Sequence, residues 1–317
     1  MSLADAPAIA TDDLTKRFGS VSALSQLTLH VPTGAIYGFL GPNGAGKTTT
    51  IRLLLGFVKP TSGSCRLFGH DCWADGVAAR RNLGYLVEAE ALFPDMRGAA
   101  LLDYTARLSG RSPVLREKLL DALELSGAAL NRKLRSYSKG MKQKLALIAA
   151  MQHDPALLIL DEPTDGLDPL MRRNFEEVLR DLHGHGRTIF MSSHDLAEVE
   201  RVCERVAIVR DGRLVAESSI EDLKRSHQRT ATVRFNGPAP TSFAEIPGVR
   251  VLAREGDRLR LAVGGDLGPF LRALAASGAI DLELPPPSLD DMFMGYYAPA
   301  SSTTAPTTEA IPTGTRR

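Results

Sequence analysis

The chain has 317 residues, enough for one large domain and a small one, and its 44% apolar and 24% charged residues exclude disorder over most of that length. Its 38 lysines and arginines nearly cancel 37 aspartates and glutamates, leaving a formal charge of +1, whereas a nucleic-acid binder carries a basic surplus. No nucleic-acid partner is expected, and any anionic ligand must be held by local geometry.

Cys65, Cys72 and Cys203 are too few and too scattered for a disulfide framework and contain no CxxC pair, so they read as reduced thiols. Residues 1–10 lack the cationic start and apolar core of a secretory leader, and no apolar run approaches the ~20 residues that cross a bilayer. The expectation is a cytosolic chain whose membrane role, if it has one, comes through a partner.

In chain order, residues 9–14, 27–31 and 36–40 read as strands broken by Gly19, Pro32 and Gly34. An amphipathic helix is predicted over 48–57, so 36–57 is a strand, a glycine-rich loop and a helix. From 94 to 127 the apolar spacing turns helical, with Leu101, Leu102 and Leu108, then Leu119, Leu120 and Leu123. A further helix is predicted over 139–151. Residues 156–160 and 188–191 are continuously apolar, as buried parallel strands are. The alternation implies an α/β core with a parallel sheet.

After about residue 225 the texture changes. Val233 and Phe235 alternate with polar neighbours, a hairpin joins 249–253 to 259–263, and Leu267, Phe270, Leu271 and Leu274 mark one helix face before Gly278. Residues 226–297 are therefore expected to form a small α+β accessory domain behind a main domain over 1–225. Residues 298–317, rich in Thr, Pro, Ala and Ser without periodicity, are expected to be a disordered tail. No internal repeat occurs, so one nucleotide-binding unit is expected.

Gly41, Pro42, Asn43, Gly44, Ala45, Gly46, Lys47 and Thr48 satisfy GxxxxGK[ST] between a strand and a helix, and Thr49 follows. The glycines let backbone N–H groups curl around phosphate oxygens, and the loop feeds a helix N-terminus that favours an anion. Lys47 can bridge β- and γ-phosphates, and the Thr48 hydroxyl can coordinate Mg²⁺. Farther on, the apolar run 157–160 ends in Asp161 and Glu162. A buried strand that closes on two carboxylates delivers them to the carboxyl edge of the sheet, where ligands of open α/β folds sit. Asp161 is assigned to the metal. Glu162 is assigned to polarising the attacking water. Together the two pieces establish a P-loop NTPase binding ATP and Mg²⁺.

Between them lie Tyr137, Ser138, Lys139, Gly140, Met141, Lys142, Gln143 and Lys144, with Ser138 set to cap the next helix. This segment resembles the signature of ABC ATPases, and its Ser-Lys-Gly-Met form is similar to the drug- and antibiotic-export group. The family's other marks follow in order: Phe18 resembles the aromatic residue that stacks on adenine, Asp168 closes a segment resembling the D-loop, and His194 follows the strand 188–191 as the switch histidine does. One mark departs. Where the family places a glutamine after Gly84, Tyr85, Leu86 and Val87, this chain has Glu88, assigned here to the metal or its water, with Glu90 a second possibility.

The resemblance covers about residues 8–225. It implies a P-loop NTPase core with an antiparallel β subdomain, a helical subdomain at about 90–150, and the small C-terminal α+β domain. The segment from Ser288 to Phe293 also resembles that export group's C-terminal extension. It implies an ATPase that powers transport, of the export kind, through a separately encoded integral membrane permease at the cytoplasmic face. The permease is expected to dock near Glu88 and residues 94–127. It implies too an ATP-dependent homodimer in which Ser138 and Gly140 bind the γ-phosphate held by the other copy. The alternative of a soluble ABC ATPase working on ribosomes or DNA would call for two ATPase units, long coiled-coil insertions or a basic excess. A P-loop kinase or GTPase would leave the segment 138–141 and His194 unexplained.

Overall fold

The computed structural model describes residues 6–226, 229–240 and 242–285. The expected tail over 298–317 and the 288–293 segment lie outside the described residues.

Strands β1 (Ile9–Phe18), β2 (Val21–Val31) and β3 (Ile36–Leu40) open the chain, and α1 (Lys47–Leu54) follows the glycine-rich loop. Strands β4 (Ser62–Leu67) and β5 (His70–Asp71), the single turn α2 (Gly76–Ala79) and strand β6 (Leu83–Tyr85) come next. The helical stretch comprises α3 (Gly98–Ser109), α4 (Arg116–Ala122), α5 (Gly127–Leu130) and α6 (Lys139–Met151). Then β7 (Leu157–Asp161), α7 (Pro169–Gly184), β8 (Thr188–Ser193), α8 (Leu196–Val202), β9 (Arg205–Arg210), β10 (Arg213–Ser219) and α9 (Ile220–Ser226) complete the main unit. Last are β11 (Arg229–Phe235), β12 (Val249–Glu255), β13 (Arg258–Val263), α10 (Gly268–Ala276) and β14 (Ala279–Glu283).

The central sheet runs β10-β9-β3-β8-β7-β6, parallel from β9 to β6 with β10 antiparallel at the edge. Its strands read as unbroken apolar runs because both faces are covered. Alternation sorts their side chains: Ile36, Leu40, Leu158, Leu160, Ile189 and Met191 pack with the helices α3, α4, α6, α7 and α8. Tyr37, Phe39, Leu157, Ile159 and Phe190 pack on the other side with α1 and the antiparallel sheet β2-β1-β4-β5. The third sheet, β12-β13-β11-β14, is all antiparallel and has its own apolar core around Phe235, Phe243 and Phe270.

Several boundaries depart from the sequence reading. The first two strands extend to Phe18 and begin at Val21, and the predicted helix over 48–57 stops at Leu54 because Gly56 turns left-handed with φ 67°. The expected helical stretch from 94 breaks at Gly110, again left-handed with φ 64°, which separates α3 from α4. The strand read at 156–160 is shifted by one residue, which brings Asp161 into the ladder opposite Ser192. Among the described residues no helix is long and apolar enough to cross a membrane.

Candidate active site

Four chain segments meet at the carboxyl edge of the central sheet. The loop after β3 closes on α1, where Gly46 holds φ 106° and an added Cβ would stand 2.9 Å from the Ala23 carbonyl, so only glycine fits. The loop is braced from within: Ala45 N–H donates to Pro42 O, and Gly212 N–H donates to Ala45 O, both at 3.1 Å. Pro42, Asn43, Gly44, Gly46, Lys47, Thr48 and Thr49 line a cavity of about 210 Å³ together with Glu162. Ala45 is buried behind it, and Gly41 contributes its carbonyl to Lys47.

Lys47 is 6% exposed, and its Nζ donates to Gly41 O at 2.6 Å while standing 3.1 Å from Glu162 Oε1. The other oxygen of Glu162 faces His194, whose Nδ1 lies 2.8 Å from Oε2 and whose backbone N–H donates to the same atom at 3.3 Å. Glu162 thus stands between the phosphate-loop lysine and the histidine that follows β8. It leaves β7 at φ 45°, a left-handed conformation that costs a non-glycine residue about 1–2 kcal/mol. Strain of this kind collects at working sites.

Beside it, Asp161 Oδ2 accepts from the Thr48 hydroxyl at 2.9 Å, and Oδ1 accepts from Ser192 Oγ. The Ser192 oxygen also receives Glu162 N–H at 3.2 Å. A hydroxyl and a carboxylate held together are hard oxygen donors, and they fit Mg²⁺. Among the described residues no three His, Cys, Asp or Glu side chains converge to hold a metal by themselves. A magnesium ion here would complete its shell with phosphate oxygens and water, as that ion usually does. Glu88 shares a second cavity of about 200 Å³ with Thr48, Asp161 and Glu162, but its carboxylate is largely exposed and stands 3.8 Å from Arg52. The side chain of Glu90 lies outside the described residues.

Ser138 caps α6 as the sequence predicts, accepting the Met141 N–H at 3.2 Å. Gly140 packs so closely on the loop after Glu162 that a Cβ would stand 2.9 Å from Gly166 O. Neither residue lines the two cavities around Lys47 and Glu162, although their neighbours Lys139 and Gln143 line the second. Asp168 caps α7, its Oδ1 accepting from Leu170 and Met171 N–H. Phe18 ends β1 half-exposed, with Lys16 Nζ 4.8 Å from its ring centroid.

Three contributors were not singled out in the sequence. Ser192 joins Asp161 to Glu162, and its place two residues before His194 was the available signal. Gln143, 6% exposed, donates Nε2–H to Pro163 O at 2.8 Å and ties α6 to the loop behind Glu162. Glu198, 2% exposed, accepts the Ser193 hydroxyl at 2.6 Å, and burial pushes its carboxyl up to about 7. Gln143 stands in the signature-like segment 137–144, whereas no local pattern separates Glu198 from ordinary helical surface residues.

Residues 24–165 match the family described as ABC transporter. The bacitracin transport ATP-binding protein BcrA of Bacillus licheniformis is 39% identical over 228 residues, covering 70% of this chain and 72% of that protein. A daunorubicin resistance ATP-binding protein of Streptomyces coeruleorubidus is 33% identical across 90% of this chain and 95% of its own length. The chain belongs to the ABC transporter family. A solved ATP-binding subunit of an ABC transporter superposes with a TM-score of 0.64 at 31% identity, covering 69% of this chain and 92% of that one. A dimeric, post-hydrolysis ATP-binding cassette bound to ADP and phosphate superposes with a TM-score of 0.61 at 23% identity over 67% of this chain and 98% of that one, a likeness of fold alone. This chain is accordingly an ATP-hydrolysing, nucleotide-binding subunit of an ABC transporter, with a P-loop α/β core.

Proposed function

We propose that this ABC ATPase powers export through a separately encoded integral membrane permease, working as an ATP-dependent homodimer at the cytoplasmic face of the membrane. The reading rests chiefly on Glu162, set between Lys47 and His194 at the edge of a loop built for phosphate. In it, the loop 41–49 holds the ATP phosphates through backbone N–H groups beyond Pro42, which has none and only shapes the turn, and through the Lys47 ammonium, and Phe18 stacks on the adenine. Glu162 accepts the proton of the attacking water, and His194 orients Glu162 and meets the γ-phosphate. Thr48 and Asp161 hold Mg²⁺, with Glu88 acting on it across the second cavity. When bound, that ion neutralises charge on the β- and γ-phosphates.

The signature residues Ser138 and Gly140, with Asp168, serve the ATP of a second copy. Contacts to the γ-phosphate then exist only in the closed dimer, so ATP favours closure and hydrolysis releases it. An apolar groove of about 440 Å³ between Tyr85, Val87, Phe93, Leu101, Tyr104 and Leu108 suits a short amphipathic helix of the permease. Its neighbour Val87 precedes Glu88, so docking and metal site lie on one loop. The accessory unit expected over 226–297 is supported, within the described residues 229–240 and 242–285, by the separate core around Phe270, and residues 286–297 lie outside the described residues.

Two measurements test this. Glu162→Gln should bind ATP, slow hydrolysis by roughly 10²–10⁴-fold, and accumulate as a dimer with ATP on sizing. Hydrolysis at the wild-type rate would remove the role given to Glu162. Affinity capture of the tagged chain from solubilised membranes should bring down a polytopic partner, and its absence would count against the permease.

A further inference from the structure

Strand β8 ends on Ser192 and Ser193, and His194 follows at once. Successive strand side chains point to opposite faces, and here Ser192 and His194 serve Asp161 and Glu162 while Ser193 turns away. Ser193 is wholly buried, its hydroxyl donating to Glu198 Oε2 at 2.6 Å and accepting Asp195 N–H at 2.9 Å. Its carbonyl accepts Gly41 N–H at 3.3 Å, which joins β8 to the first glycine of the phosphate loop. Thr164, two residues past Glu162, is itself buried and adjoins the same Glu198 carboxyl without a hydrogen bond of normal geometry. One buried acid on α8 therefore adjoins both the loop bearing the histidine and the loop that follows the glutamate.

The acid is costly where it stands. Its Oε1 is buried without a hydrogen-bond partner, and a buried polar atom left unpaired is destabilising. A leucine at this position of α8 would fill the space without that loss. Stability alone gives no reason for a carboxyl here, whereas its connections lead to the groups around the phosphate loop.

We propose that Glu198 is a positioning residue for hydrolysis: by holding Ser193 it fixes where β8 sets Ser192 and His194, and so the carboxylates of Asp161 and Glu162. It lines neither of the two cavities around Lys47 and Glu162. Its effect is therefore on turnover rather than on ATP affinity, which depends on the loop 41–49. The inference rests on the roles given above to Glu162 and His194.

The experiment compares Glu198→Ala, Ser193→Ala, their double variant and Glu198→Gln in the full-length chain, measuring ATP hydrolysis against ATP concentration together with nucleotide affinity. Losing the Ser193–Glu198 hydrogen bond should lower kcat about tenfold, with KM and affinity within about twofold. The double variant should fall no lower than either single one, because both remove the same contact. Glu198→Gln, whose amide oxygen still accepts from Ser193, should recover most of the rate, which a loss through packing alone would not explain. Wild-type kcat in Glu198→Ala, or losses that add in the double variant, would overturn the proposal. If Glu198→Ala does not fold, Ser193→Ala against Glu198→Gln carries the same comparison: a slow former with a near-normal latter supports it, and equal rates refute it. Glu162→Gln measured alongside separates the two levels. A fast Glu162→Gln with a slow Glu198→Ala would remove the general base while leaving Glu198 as the residue that positions β8.

Discussion

Lys47 Nζ stands 3.1 Å from Glu162 Oε1, so the cation meant for phosphate and the carboxylate meant for water neutralise each other across the phosphate cavity. Lys47 is nearly buried and Glu162 about three-quarters so, which places the pair where screening by solvent is weak. Incoming phosphate must draw Lys47 off this carboxylate. Phosphate and Glu162 therefore compete for one cation, while His194 already holds the other oxygen of the glutamate.

Removing the competing charge should then strengthen nucleotide binding. Glu162→Gln is expected to bind ATP about three- to tenfold more tightly than wild type, the equivalent of ~1 kcal/mol for a part-buried ion pair. Titration of both proteins with ATP in the absence of turnover measures this. Equal affinities would mean that Glu162 does not compete for Lys47.

Lys47→Ala should act in the opposite sense. Among the described residues lining the cavity, Lys47 is the one cation and Glu162 the one anion, so the substitution leaves Glu162 to repel the phosphates. ATP affinity should fall by about a hundredfold, corresponding to ~2.7 kcal/mol, within the range for truncating a buried charged partner. Binding at the wild-type level by a folded variant would remove the phosphate assignment from this loop.

The site was partly legible in the sequence because its parts lie in local patterns. The glycine spacing of 41–48, the apolar run into Asp161 and Glu162, and the Ser138 cap each sit on one element, where periodicity and residue type decide the structure. Strand β6 escaped notice since it has three residues, one of them Gly84, whose added Cβ would stand 2.2 Å from Ala150 O. Helix α7 was not predicted either, although Asp168 and Pro169 announce its start, because charged residues dominate its outer face. The Lys47–Glu162 contact was illegible for a different reason: it depends on which strands become neighbours, and the order β3-β8-β7 is set by the whole sheet. Ser193–Glu198 spans only five residues, but a serine and a glutamate at that spacing read equally well as an exposed strand end and helix face.

Glu198 also makes stability depend on pH. Its carboxyl ordinarily titrates near 4.5 and in the fold at about 7, chiefly through burial, so between those values the folded chain keeps a proton that the unfolded chain releases. The contribution is complete below pH 4.5, declines as pH rises, and levels off above 7, amounting to ~3 kcal/mol. Glu198→Gln has no such proton. Urea unfolding at pH 5 and pH 8 should show the variant gaining on wild type by up to that amount at the higher pH. A difference between the two proteins that does not change with pH would contradict a buried neutral acid.

The two acids assigned to magnesium should differ sharply. Asp161 is held by Thr48 and Ser192, whereas Glu88 is exposed and faces Arg52 at 3.8 Å. Asp161→Asn should raise the Mg²⁺ concentration for half-maximal ATPase activity about a hundredfold, and Glu88→Gln by less than about threefold. Titration of activity with Mg²⁺ at saturating ATP provides the comparison. A larger effect at Glu88 would move the metal from Asp161 toward Glu88 within the cavity that both line.

The last prediction concerns which chain's signature serves which ATP. Ser138 is exposed at the start of α6 and, like Gly140, lies outside the cavity that Lys47 lines. If these residues act on a second copy's nucleotide, each site takes Lys47 from one chain and Ser138 from the other. Ser138→Arg and Lys47→Ala chains, each poorly active alone, then form a mixed dimer with one doubly damaged site and one intact site. Where one intact site suffices, mixing restores part of the ATPase activity. Where both must act together, activity stays low, but ATP still binds at the intact site and holds the mixed dimer. Cross-linking of differently tagged chains with ATP reads both cases. Mixed dimers should exceed either homodimer several-fold, because only they contain an undamaged site for the γ-phosphate. Mixed dimers no more abundant than the homodimers would place Ser138 outside the partner's site, and the head-to-tail arrangement would fall with it.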